Sequence, residues 1–316
     1  MKYLFFDIEC SNCFNGIGKM CEFGYVLTDE NFQILSKNEI PMSPGKGRGN
    51  RFHLRDRMKQ LDISLAYDYD YYFNQPEFPA FYERIKQLIE ANDTICFAWS
   101  SDNDMLHLFH SCTRYNLEPL RYICYDLQKI AGNYLETNDQ IGLKKCFLTV
   151  VGKNKLISLQ EHLSSDDAKM SMLIFEVICF FEKKKSAELL NESEYAKDDA
   201  YNFCLEFENK LHKRKLSMQN HKLYKEIVAS DKEHSGDKCF IGKRINLSGE
   251  LKTSLDNLNN LIKSLHNCGF LLVNDLSLTD LFLCLNENNK KDLEVKLKDK
   301  YKGKFVLLES LELKNN

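Results

Sequence analysis

Tryptophan and proline are scarce, at one and five in 316 residues, and the one CxxC pair, Cys10-Ser11-Asn12-Cys13, has no second half: there is no other CxxC and no HxxxH. A structural zinc site draws its ligands from two paired halves, so that lack sets zinc aside. The twelve cysteines then serve as small hydrophobes of a reducing compartment. No uncharged apolar run approaches the length of a membrane span. The opening MKYLFFDIE turns acidic after a short apolar stretch, unlike a secretory leader, and predicts a soluble, cytoplasmic protein. A dominant charge sign is missing too: with a net charge of -3, any polyanionic partner has to be met by a local patch. What is present is 43% hydrophobic residues, enough for a core, in a length that predicts two domains or one with an appendage.

Along the chain, KYLFFDIEC is an apolar, aromatic run without helix breakers and predicts a buried strand. CEFGYVLTD and ENFQILSKNEIPM alternate on either side of a TDEN turn, the pattern of a hairpin. A glycine-rich basic segment follows, from Lys46 through Arg48, Arg51, Arg55 and Arg57 to Lys59. It is either a phosphate contact or a solvated loop. The aromatic cluster AYDYDYYFNQPEF can offer stacking faces to bases or pack a loop on the core. Helix, strand and helix then alternate to about residue 186, so residues 1–186 predict one mixed-sheet α/β domain. Residues 187–237 are highly charged and read as a helical linker ending at EHSGDK. Residues 238–316 order themselves as strand, helix, strand, strand, helix, strand.

Carboxylates recur where strands end. Asp7 and Glu9 flank Ile8, and strand alternation points both to one face. Like charges so placed in an apolar run are costly unless a cation lies between them or the face meets water. In FAWSSDNDMLHLF a buried strand gives way to a helix; helix capping accounts for Asp102 and accounts less well for Asp104. HLSSDDA adds His162 and Asp167, five residues apart on a predicted helix, close enough to face one cavity. The sequence DDA returns at Asp198-Asp199-Ala200, without a histidine, as solvated helix surface.

Taken in order, these stretches resemble the DEDDh, or DnaQ-like, 3'-5' exonuclease superfamily. FFDIEC is similar to its Asp-x-Glu motif, and MCEFGYVL to the Ile-Glu-Ile-Gly strand that follows. AWSSDNDMLHL resembles the second motif, with Asp104 at the metal position, and HLSSDDA the third, with Ser164 in place of the common alanine. The resemblance implies an RNase H-like mixed five-stranded sheet flanked by helices. It also implies two divalent ions, Mg2+ or Mn2+: Asp7, Glu9 and Asp167 would hold one, and Asp7 with Asp104 the other. His162 would take a proton from water, and the product would be a nucleoside 5'-monophosphate cut from the 3' end of single-stranded DNA or RNA. Cys10 and Ser11 stand where a Thr-Gly pair usually meets the terminal nucleotide, and Trp99 and Ser100 where many members carry His-Asn. A tryptophan there is similar to the Eri-like branch, which acts largely on RNA ends.

Residues 238–316 resemble a BRCT domain in element order and in KRINLSGEL, LIKSLHNCG and TDLFLCL, although the last helix lacks the usual tryptophan. By that resemblance Ser248-Gly249 with Lys290 or Lys291 could meet a phosphate, or the domain could dock DNA, a protein or a second copy of itself. Two other functions stay open: an RNA-end-trimming or short-oligonucleotide nuclease, and an inactive nuclease fold that works as a scaffold through its BRCT-like part.

Overall fold

In a computed structural model of the chain, the described residues are 1–11, 18–45, 65–137, 140–156, 158–160, 162–230, 243–254 and 258–311. Cys13, the basic run from Lys46 to Lys59 and the EHSGDK segment lie outside them. The chain divides into two compact units, Met1–Leu205 and Glu206–Asn316.

The first unit begins with β1 (Lys2–Ser11), β2 (Lys19–Asp29) and β3 (Ile34–Pro41), then α1 (Tyr69–Phe73), a 3-10 turn at Phe78–Ala80 and α2 (Tyr82–Ile89). It continues through β4 (Thr94–Ala98), α3 (Ser101–Arg114), β5 (Ile123–Asp126), α4 (Leu127–Tyr134), α5 (Leu143–Val150) and α6 (Lys153–Leu156). α7 (Ser164–Glu182), α8 (Ser186–Glu192), β6 (Lys197–Asp199) and the start of α9 (Ala200–Ser230) complete it. The strands form one mixed sheet in the order β3-β2-β1-β4-β5-β6. β1 pairs antiparallel with β2 and parallel with β4, and β5 runs parallel to β4.

Alternation along β1 explains why both faces of the sheet are covered. Tyr3 and Phe5 enter a core shared with Ile174, Phe175 and Ile178 of α7. Leu4, Phe6 and Ile8 enter the opposite core, with Ile85 and Ile89 of α2 and Met105 and Leu108 of α3. Asp7 and Glu9 continue the series of Tyr3 and Phe5, so the sheet directs them to the side on which α7 packs. The described cysteines behave as the small hydrophobes expected of them: Cys10 and Cys268 are half-buried, the others buried, and all are free thiols.

Among the described residues the larger sheet has six strands where five were expected, because Lys197–Asp199 pairs antiparallel with β5, with Asp199 opposite Ile123. The second Asp-Asp-Ala is therefore not helical at its two acids: Asp198 is half-buried and reaches Lys129 at 3.3 Å, Asp199 is exposed and accepts from the Asn202 amide at 2.9 Å at the start of α9, and Ala200 is buried. The division of the chain also differs from the one read off the composition. Ala200 and Cys204 sit in a core of the first unit, which carries that unit to Leu205.

The second unit takes the remainder of α9 and adds β7 (Arg244–Leu247), α10 (Gly249–Ser254), α11 (Leu258–Asn267) and β8 (Leu271–Leu272). β9 (Leu281–Cys284), α12 (Glu287–Leu297) and β10 (Lys304–Leu307) follow. Its sheet has the order β10-β9-β7-β8 and is parallel throughout. Tyr224 of α9 is wholly buried in its core, and the phenol donates to the Val273 carbonyl at 2.9 Å. Ser248 is buried and its Oγ accepts from the Leu251 amide at 3.2 Å, which caps α10. Among the described residues no helix is long and apolar enough to cross a membrane.

Candidate active site

The carboxylates gather at the C-terminal edge of three parallel strands. β1 outruns β4: their last pair is Phe6 with Ala98, and beyond it the Ile8 amide is taken by Asp104 Oδ1 at 3.1 Å. Asp104 comes from the first turn of α3 and is 5% exposed. Its hydrogen bond ties the helix to the part of β1 that carries Asp7 and Glu9. Asp102, expected as the cap of this helix, does not cap it; the N-cap is Ser100, without a side-chain cap, and Asp102 faces Lys129 at 3.8 Å.

α7 supplies the third group. Asp167 lies in its first turn, 8% exposed, and His162 lies just before the helix, not on it. The His162 backbone is left-handed, with φ 61°, a conformation that non-glycine residues seldom adopt outside turns and functional sites. That turn folds the chain back so that the His162 amide donates to Asp167 Oδ2 at 3.2 Å and its Nδ1 stands 3.7 Å from Glu9 Oε1. One ligand atom each from Glu9, His162 and Asp167 lies within 4.8 Å of the others. Asp7 and Asp104 are outside that tight group but next to it: Asp7 shares the face of β1 with Glu9, and Asp104 accepts from the amide of Ile8, the residue between Asp7 and Glu9.

Burial, then the charges of Asp104, Glu9, Asp167 and Glu22, push the Asp7 carboxyl well above its usual range. Burial raises Asp104 likewise, with Glu9 and Asp126 adding to it and the Ile8 amide opposing. Asp167 is pushed up to about 7 by burial and by Glu9, against the pull of His162. A rise of that size means the charged form is disfavoured by about 4 kcal/mol. Among the described residues no lysine or arginine forms an ion pair with Asp7, Glu9, Asp104 or Asp167. A buried group of hard oxygen donors that repel one another is the donor set a divalent ion such as Mg2+ or Mn2+ relieves, so these residues fit that group.

The other residues singled out in the sequence are less available. Ser11 is buried, its hydroxyl donating to the Lys19 carbonyl at 3.2 Å, and Cys10 is half-buried with its thiol pushed well up by burial. Trp99 is 8% exposed and belongs to the core on the α7 side. Ser100 lines a cleft of about 370 Å³ with Asp102, Asp126, Gln128 and Lys129. Asp126, Lys129 and Glu22 were not singled out as site residues. For Asp126 a signal existed, since YICYD ends a strand on an acid just as FFDIE nearly does.

No known sequence family and no curated protein matches the chain. Among solved structures, it is similar to a 3'-exonuclease seen in 3'-end recognition of the histone mRNA stem-loop, at 17% identity and TM-score 0.46, over 58% of this chain and 83% of that one. It is also similar to the nuclease domain of 3'hExo, a DEDDh family member bound to rAMP, at 14% identity and TM-score 0.46, over 58% and 94%. Exonuclease I of E. coli, in complex with a dA16 oligonucleotide, is similar at 13% identity and TM-score 0.44, over 60% of this chain and 42% of its own. At such identities the likeness concerns shape, and the chemistry of the site has to come from its own residues.

Proposed function

We propose that the first unit is a metal-dependent 3'-5' exonuclease that releases nucleoside 5'-monophosphates from single-stranded DNA or RNA. The convergence of Glu9, His162 and Asp167, with Asp7 and Asp104 beside them, carries this reading. Two divalent ions, Mg2+ or Mn2+, bound by Asp7, Glu9, Asp104 and Asp167, would supply a more acidic water and neutralise the charge that develops on phosphate.

The chain's own part is orientation and proton transfer. Asp104 holds the end of β1 through the Ile8 amide, so that Asp7 and Glu9 face one point. His162 is 44% exposed at its side chain, open enough to meet a water at the terminal phosphodiester. A neutral imidazole there takes the water proton as the oxygen attacks phosphorus. The bond from phosphorus to the 3' oxygen breaks, that oxygen is protonated from solvent, and the terminal nucleotide leaves with a 5' phosphate.

Incubation of 3'-labelled and 5'-labelled DNA and RNA oligonucleotides with Mg2+ or Mn2+ tests the proposal. Labelled mononucleotide should leave from 3' ends first, and Asp7→Asn should abolish it while keeping the fold. Tight binding without hydrolysis by the wild-type chain would instead favour the scaffold function. The second unit, which the sequence likens to a BRCT domain, we read as a docking module for DNA, protein or a second copy of itself.

A further inference from the structure

The helix that brings Asp167 to the site does not cap itself. Its N-cap residue, Leu163, offers no side-chain hydrogen bond. The free amides of the first turn need partners, and the neighbouring strands supply one. Glu22 of β2 is wholly buried, and its Oε1 accepts from both the amide, at 2.8 Å, and the hydroxyl of Ser164. Its other oxygen, Oε2, accepts from the Tyr72 hydroxyl at 2.9 Å. One strand over, Glu39 of β3 repeats the arrangement: one oxygen accepts from Ser165 Oγ at 3.0 Å and the other from the Tyr67 hydroxyl.

We propose that Glu22 and Glu39 are positioning residues, each clasped between a tyrosine and a serine, that set the rotation of the first turn of α7 and so the metal affinity of the site. The inference rests on the metal-dependent reading above. Consecutive residues of a helix point about 100° apart, so tethers on Ser164 and Ser165 together determine where the next side chains aim. Asp166 adds a third tether, through Lys37 and through the Gln160 amide, which donates at 2.8 Å. Asp167 comes next, and with it the 4.8 Å spacing to Glu9 and His162. The Ser164 hydroxyl, where the resembling motif commonly has alanine, adds a bond that alanine cannot make. A buried carboxylate is costly unless donors meet it; here three hydrogen bonds converge on Glu22.

A merely structural glutamate would lower stability and leave the metal affinity of the folded chain alone. A positioning glutamate changes that affinity, as partners that orient metal ligands generally do. The test is Mn2+ binding to the full chain, by calorimetric titration without nucleic acid, for wild type, Glu22→Gln, Glu22→Met, Glu39→Met and Tyr72→Phe, with urea unfolding alongside. Glu22→Met should weaken Mn2+ binding about tenfold or more, and Glu22→Gln, whose amide oxygen still accepts from Ser164, should stay within about threefold of wild type. With oligonucleotide, Glu22→Met should lower kcat at saturating substrate and leave KM unchanged. Should Glu22→Met fail to fold, Glu39→Met and Tyr72→Phe carry the same expectation of weakened binding. Wild-type Mn2+ affinity in every folded variant would overturn the positioning role alone. A wild-type chain that takes up no Mn2+ would overturn the metal-dependent reading and this inference with it.

Discussion

Asp167 meets two opposed demands. It must be ionised to hold a cation, yet burial and Glu9 hold its proton up to about 7, against an ordinary value of 3.8. The sign of the linkage follows: a carboxyl whose folded pKa lies above its unfolded one stabilises the fold fully below the unfolded pKa, and that contribution is lost as pH rises through about 7. The metal-free chain should therefore melt at a higher temperature at pH 5.5 than at pH 8. Asp167→Asn should flatten that dependence, and Mn2+ should restore stability at pH 8. Thermal melts with and without chelator decide it; a metal-free chain equally stable at both pH values would refute the raised pKa of the buried Asp167 carboxyl. A companion prediction concerns His162. Changed to Ala, it should lower kcat about 100-fold or more, the scale of a lost general base. Mn2+ binding, measured as above, should fall far less; a loss of binding matching that of Asp7→Asn would instead make His162 a ligand.

At the scale of elements, the contact between β2 and α7 decides where the site lies. Gly24 is opposite Asp7 in the sheet, and a Cβ built there would stand 2.1 Å from the backbone of Ser164 and Ser165. Only a bare Cα lets the helix start come so close to the strand. Gly24→Ala should cost about 3 kcal/mol, at the upper end of overpacking, and reduce the proposed exonuclease activity about 100-fold by displacing Asp167. Gly142→Ala is the control, since nothing lies within 4 Å of its Cβ. Urea unfolding and initial rates of both variants, indistinguishable from wild type at position 24, would remove the contact from the explanation. Much of this layout was legible in the sequence. Period-two alternation assigned Asp7 and Glu9 to one face, and the strand-to-helix change placed Asp104. What was not legible depends on long-range geometry. The left-handed turn at His162 has no periodic signature, a strand of three residues such as β6 has too few positions to show one, and the grip of Glu22 on Ser164 spans 142 residues.

For the whole molecule, two units with separate cores predict two steps in unfolding. Mn2+ at about 100 times its dissociation constant should raise the stability of the first unit by about 2.7 kcal/mol and leave the second unmoved. Tyr224→Ala should do the reverse, costing the second unit about 3 kcal/mol or more through the buried ring and its hydrogen bond to Val273. Urea titrations followed by circular dichroism would show it; one transition shifted equally by the ion and by the substitution would mean that the units unfold as one.

The cysteines give that cooperativity a chemical readout. In the first unit, burial pushes the thiols of Cys21, Cys96, Cys112, Cys124, Cys146 and Cys179 upward, and in the second it does the same for Cys284. The thiolate is the form that reacts, so these sulfurs are silent toward alkylating reagents while the fold is closed. They are distributed over both layers around the larger sheet and into the smaller unit. Each alkylation event, located by mass, would date the opening of one region, and the chain carries its own clock for local unfolding without any label being added to it.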